Sequence, residues 1–138
     1  MCWNREHLFA ADGSAPGQAR RAVDFDLGEM LGPSARAVID DAELVVSELM
    51  TNTLAAHARQ ARLFIDIHRD RVRLAVDDDG VGTPSPRAAE STDETGRGLA
   101  IVAALSRSWG YEKTDLGKRV WAELELDPAH GAGVDCRG

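Results

Sequence analysis

Residues 72–82 read VRLAVDDDGVG. Val72, Leu74 and Val76 recur at every second position, the period that gives a β-strand one apolar face. The strand runs out into three carboxylates, Asp77, Asp78 and Asp79, and then into Gly80 and Gly82, two residues apart. Glycine carries no Cβ, so a ligand can come close to the backbone at such a point. An ionised carboxylate at a strand end only accepts hydrogen bonds. That suits the exocyclic amine of adenine, which guanine replaces with an acceptor at the equivalent ring position. Asp78 is the candidate acceptor. The same run also reads as an ordinary acidic Asp-Gly turn. As a calcium loop it lacks the spaced oxygen ligands and closing Glu of the helical calcium motif.

Upstream, Leu63-Phe64-Ile65-Asp66-Ile67-His68 nearly alternates in polarity and is separated from the first strand by Arg69-Asp70-Arg71, which predicts an antiparallel pair. Before it, residues 35–57 contain neither Pro nor Gly, and Val38, Ala42, Val45, Val46, Leu49 and Leu54 recur near helical spacing. Glu48 and Asn52 stand one turn apart on that helix and project from one face. An amide oxygen suits magnesium, and a carboxylate one turn away can take a proton from an attacking hydroxyl or water. Taken alone, such a pair is also what a polar helix face looks like.

Downstream, residues 77–96 hold Gly, Pro, Ser, Thr and acidic residues with almost no large apolar side chain, which predicts a mobile surface loop. Gly96-Arg97-Gly98-Leu99 then precedes a short predicted helix, Leu99 to Leu105. Its unpaired N–H groups and positive dipole end suit a phosphate. A Gly-x-Gly joint before a helix is by itself weak evidence, and the standard phosphate loop is absent, since Arg119 follows Gly117-Lys118. Further strands are predicted at Trp3 to Ala10, Trp109 to Lys113 and Arg119 to Leu126, and a helix from Ala19 to Met30 ending at Gly32-Pro33. The order implies an α+β two-layer sandwich: a mixed, mostly antiparallel sheet covered on one face by helices, the other face open to solvent or a partner.

The chain has 138 residues, 43% hydrophobic and 28% charged, which fits a single domain over 1–138 with a core at about 19–126 and a loose tail at 128–138. A net charge of -7 repels a phosphate backbone and argues against nucleic acid. Cys2 and Cys136, near the chain ends, give no disulfide framework or zinc site. No apolar stretch approaches membrane-spanning length and the start has no signal-like region, so the expected location is cytoplasmic, without membrane contact.

Taken together, the three segments resemble the GHKL superfamily of ATP-binding domains, and more narrowly the small anti-sigma-factor serine kinases of bacteria. Glu48-Leu49-Met50-Thr51-Asn52 is similar to the asparagine box, Asp78-Asp79-Gly80-Val81-Gly82 to the first glycine box, and Gly96-Arg97-Gly98-Leu99 to the second. The resemblance spans about Ala19 to Leu126. It implies Mg-ATP as the ligand, Glu48 as general base, Asn52 as magnesium ligand, Asp78 as adenine reader, and contacts to the nucleotide from Gly80, Gly82, Gly96, Arg97, Gly98 and Leu99. It also implies a lid at residues 83–95 and a partner that is a sigma factor or an anti-sigma antagonist, with a homodimer allowed. Serine-kinase activity on the antagonist is the leading expectation, and a nucleotide-gated protein-binding module without phosphoryl transfer is the alternative. Three departures bear on that choice. Thr53 and Ala56 replace the usual Ala and His after the asparagine, with His57 one place late; Arg119 stands near a usual Thr; and Glu94 stands where the kinases tend to carry Arg. A carboxylate cannot neutralise a transferring phosphoryl group.

Overall fold

The computed structural model describes residues 3–80 and 94–130, with 94–98 described by their backbone alone. Its elements are β1 (Trp3–Ala10), α1 (Ala15–Leu31), a 3-10 turn (Pro33–Ala35), α2 (Arg36–Ala55), β2 (Gln60–Ile67), β3 (Arg71–Asp78), α3 (Glu94–Leu105), β4 (Ser108–Lys113) and β5 (Lys118–Glu125). The strands form one five-stranded sheet in the order β1-β2-β3-β5-β4. All four pairings are antiparallel, so the mostly antiparallel sheet expected from sequence is antiparallel throughout these residues.

The alternation read in the sequence sets the two faces. Leu63, Ile65 and Ile67 of β2, Val72, Leu74 and Val76 of β3, and Val120, Ala122 and Leu124 of β5 are buried in one core. Val23 and Leu27 of α1, Val45, Val46, Leu49 and Met50 of α2, and Leu99 and Val102 of α3 fill the same core from the helical layer. Each fully buried Val, Leu or Ile contributes about 1.5–3 kcal/mol relative to exposure, which outweighs the weak local preferences of the segments. On α2 the buried stripe uses Ile39, while Leu54 stays half-buried.

Two polar clusters tie elements together, one between the sheet edge and α1 and one between the two long helices. Asp26 of α1 is buried and accepts from Arg5 Nη1 at 3.0 Å, and it hydrogen-bonds His7 Nε2 at 2.8 Å, which pins the edge strand β1 to α1. Arg36 reaches Asp24 of α1 and Asp40 and Glu43 of α2 at 2.6–2.9 Å.

The helix ends follow capping chemistry. Gly32 sits at φ 80°, a left-handed conformation that favours glycine, and its N–H bonds back to Gly28 O at 3.0 Å. After α2 the equivalent left-handed position is taken by His57, at φ 57°. A non-glycine residue there costs about 1 kcal/mol or more. His57→Gly is therefore expected to stabilise the fold by up to about 1 kcal/mol, raising Tm by about 4 °C. Differential scanning calorimetry checks this, and an unchanged or lower Tm would show that the histidine ring earns its place in some other way.

Candidate functional site

Strand parity separates the three carboxylates. Val72, Leu74, Val76 and Asp78 of β3 face the helical layer, whereas Asp77 lies on the opposite face and Asp79 lies just past the strand. Asp78 is 5% exposed. Its Oδ1 accepts the Gly80 N–H at 2.9 Å and Lys118 Nζ at 3.1 Å. Its Oδ2 is also 3.1 Å from Nζ, but the alignment is not that of a hydrogen bond, and this buried atom accepts none among the described residues. The ammonium beside it offsets the burial of this oxygen, which keeps lone pairs that a further donor can use.

Lys118 was not foreseen as a site residue. It is 3% exposed, an unusual position for a lysine, and the only described hydrogen bond of its ammonium goes to Asp78. The signal was in the alternation of β5: Lys118 shares the parity of Val120, Ala122 and Leu124, the apolar face. Gly117 makes the approach feasible. A Cβ there would lie 2.1 Å from the Asp78 carbonyl oxygen, so any side chain would push β5 away from the end of β3.

Asp79 has a structural task. Its Oδ1 accepts the backbone N–H groups of Arg59 at 2.7 Å and Gln60 at 3.2 Å, bracing the entry to β2. The Arg59 N–H, and then that of Gln60, hold its carboxyl below the usual aspartate value. The stabilisation is present above the ordinary carboxylate value and is lost as pH falls through the lowered one.

Asn52 lies on the buried stripe of α2, after Val45 and Leu49, where the helical period calls for an apolar residue. It is 4% exposed, and its Nδ2 has no partner among the described residues. Glu48, one turn earlier, is half-buried. The end of α2 meets the first glycine box directly. Ala56 N–H bonds to Asn52 O at 3.1 Å, and a Cβ on Gly80 would lie 2.6 Å from Ala56 O, so glycine is needed there because of the close approach rather than its dihedrals. The asparagine box and the glycine box are thus brought to one end of the helical layer.

Other expectations are redistributed. Helix α3 begins at Glu94, not at Leu99, so Gly96, Arg97 and Gly98 lie inside it rather than in a loop before it. Two helical glycines cost about 1 kcal/mol each, which burial of Leu99 and Val102 in the core outweighs. Gly96 falls in the first turn, where N–H groups lack intrahelical acceptors, while Gly98 falls beyond it. Leu99 is 1% exposed and its side chain belongs to the core, so any ligand contact from it is through backbone. Gly82 and residues 83–93 of the expected lid lie outside the described residues, as do Cys2, Cys136 and the tail from 131.

Arg119, near the position of the family's usual Thr, turns away from the site. It lies on the face of β5 away from the helices, donating to Asp77 through Nε at 2.5 Å and Nη2 at 2.7 Å, with its guanidinium 5.2 Å from the Phe64 ring centre. One residue along a strand reverses the side chain. Arg119 therefore does not share the face of Asp78 and cannot stand in for a phosphate-binding threonine on that side. Two cavities, of about 550 and 530 Å³, are lined by Phe64 and Arg119 among others; the first also reaches Asp78, and neither is lined by Asn52.

An antiparallel sheet under a layer of helices, with a buried strand-end aspartate, a buried helix asparagine and a glycine packed against the end of that helix, fits a GHKL-type ATP-binding domain. The family model for the histidine kinase-like ATPase domain matches residues 15–124, and the chain belongs to that family. No curated protein matches the chain. Membership carries ATP binding and a regulatory role. Among the described residues no helix is long and apolar enough to cross a membrane.

The residues present fit an adenine nucleotide. Among the described residues, Asp78 Oδ2 is a buried acceptor with no hydrogen bond and Asn52 Nδ2 a buried amide atom with none. Turning that amide over would exchange its nitrogen and oxygen, so the side chain can offer either a donor to phosphate or an oxygen to a metal.

Proposed function

We propose that this protein is a cytoplasmic Mg-ATP-dependent serine/threonine kinase that regulates transcription by phosphorylating an anti-sigma antagonist, with a sigma factor or that antagonist as its partner. The observation that carries the nucleotide part is the Oδ2 of buried Asp78, which accepts no hydrogen bond among the described residues, beside the Gly80 close approach. Bound Mg-ATP supplies the phosphoryl group. Asp78 would accept the adenine amine, Asn52 would offer its amide oxygen to the magnesium, and Glu48 would take the proton of the serine or threonine hydroxyl, whose oxygen gains the γ-phosphoryl group as ADP leaves. Backbone N–H groups at the start of α3 would face the phosphate charge.

A second reading, a nucleotide-gated protein-binding module without phosphoryl transfer, is favoured by one specific observation: Arg119 is held by Asp77 on the far face and adds no positive charge on the face of Asp78. The two readings share nucleotide binding and part at chemistry. Calorimetry is expected to show ATP bound about tenfold to a hundredfold more tightly than GTP, the worth of one charged hydrogen bond. Equal affinities would reject Asp78 as the base reader. Incubation with radiolabelled ATP and proteins recovered from the same cell then distinguishes the readings: a labelled partner supports the kinase, and ATP-dependent partner affinity without label supports the module.

A further inference from the structure

The buried contact between Lys118 and Asp78 goes beyond holding the fold together. Lys118 Nζ and the Gly80 N–H both occupy Asp78 Oδ1, at 3.1 and 2.9 Å, while Oδ2, buried beside the ammonium, accepts no hydrogen bond among the described residues. An ammonium has three N–H donors, and among the described residues Nζ makes one hydrogen bond. Oδ2 and Nζ, 3.1 Å apart, therefore present an acceptor and unused donors side by side. The edge of adenine carries the complementary pair, an amine donor at N6 next to the ring acceptor N1. Gly117, where a Cβ would collide with the Asp78 carbonyl at 2.1 Å, lets the ammonium come this close.

We propose that Lys118 is a second base-reading residue, donating to ring N1 of the adenine whose exocyclic amine Asp78 Oδ2 accepts. The inference rests on the nucleotide-binding reading above and adds a specificity determinant to it. Lysine's compact ammonium suits this use as a single strong donor on a buried stem. A purely structural lysine would neutralise Asp78 without caring what the ligand carries at N1.

The test is calorimetric binding of ATP, 1-deaza-ATP, which has a C–H in place of N1, and purine riboside triphosphate, which keeps N1 but lacks the amine. The unmodified protein should bind 1-deaza-ATP about tenfold to a hundredfold more weakly than ATP, one charged hydrogen bond's worth. In K118M that ratio should fall close to one, while in K118R, which keeps a cationic donor, it should persist in part. Because K118M leaves Asp78 buried without its counter-charge, the D78N–K118M double variant, with no buried charge, is measured beside it and should also lose discrimination at N1. Equal binding of ATP and 1-deaza-ATP by the unmodified protein overturns the proposal without any variant. So does a K118M variant that weakens both ligands alike and keeps their ratio. If no adenine nucleotide binds at all, it is the nucleotide-binding reading that fails. If ATP and purine riboside triphosphate bind equally while 1-deaza-ATP is rejected, Lys118 stands and the role of Asp78 falls.

Discussion

Glu48→Gln is expected to lower phosphoryl transfer by about 10²–10⁴-fold, the usual contribution of a positioned general base, while leaving Mg-ATP affinity nearly unchanged. Glutamine keeps the shape and length of the side chain but accepts no proton at neutral pH. Glu48 lies on α2 one turn before Asn52, half-buried, so the substitution leaves the buried stripe of Ile39, Val45 and Leu49 intact. Turnover is read as phosphate transferred to the recovered partner and as slow ATP hydrolysis, and affinity by calorimetry on the same samples. Unchanged turnover in the variant would remove Glu48 from the chemistry. A parallel fall in affinity and rate would instead show that it binds the ligand in the ground state.

Asp78→Asn should damage the protein in two separable ways. Lys118 and Asp78 are 4% and 1% exposed at their side chains, and removing one partner of a buried ion pair leaves the other charge uncompensated, at about 3–5 kcal/mol. That is a large share of the roughly 5–15 kcal/mol that stabilises a domain. A urea titration should show the loss as an earlier midpoint. Adding Lys118→Met removes the stranded ammonium and should recover most of the stability. It should not recover nucleotide affinity, because the adenine amine still lacks its carboxylate. Denaturation of both single variants and the double closes the cycle. A single-variant cost below about 1 kcal/mol would mean that water reaches and solvates the pair. The cycle also guards the adenine assignment, since a fall in ATP affinity by Asp78→Asn counts only when measured at a matched folded fraction.

Much of this arrangement was legible along the chain because period and parity are local properties. The alternation of Val72, Leu74 and Val76 carries through to Asp78, which selects it among three neighbouring carboxylates as the one turned toward the helices. The helical stripe of Val45 and Leu49 likewise continues to Asn52 and Thr53. Thr53 satisfies its hydroxyl by donating to Met50 O at 2.7 Å, and Asn52 Nδ2 has no partner among the described residues. Polar residues on apolar parity are what a sequence offers as site candidates. The same rule applied to β5 finds Lys118, whereas the position of the family's last-strand Thr points one residue further, to Arg119 on the opposite face of the strand. The start of α3 was misplaced for a different reason. Glycine lowers helix propensity locally, whereas Leu99 and Val102 stabilise the helix through core contacts that no local reading contains.

The sequence by itself determined the family, the strand and helix order, and the three short segments that carry Glu48, Asn52, Asp78 and the glycines, because these depend on residue type and spacing within one element. Only the tertiary structure decided which of those groups meet. Strand β5 lies beside β3 although Lys118, the partner of Asp78 across the pair, comes 40 positions later in the chain. That pairing brings Lys118 onto Asp78, sends Arg119 to Asp77 on the other face, and sets the end of α2 against Gly80. Contacts across such separations are fixed by sheet register and close packing, which act between elements and leave no periodic trace within any one of them.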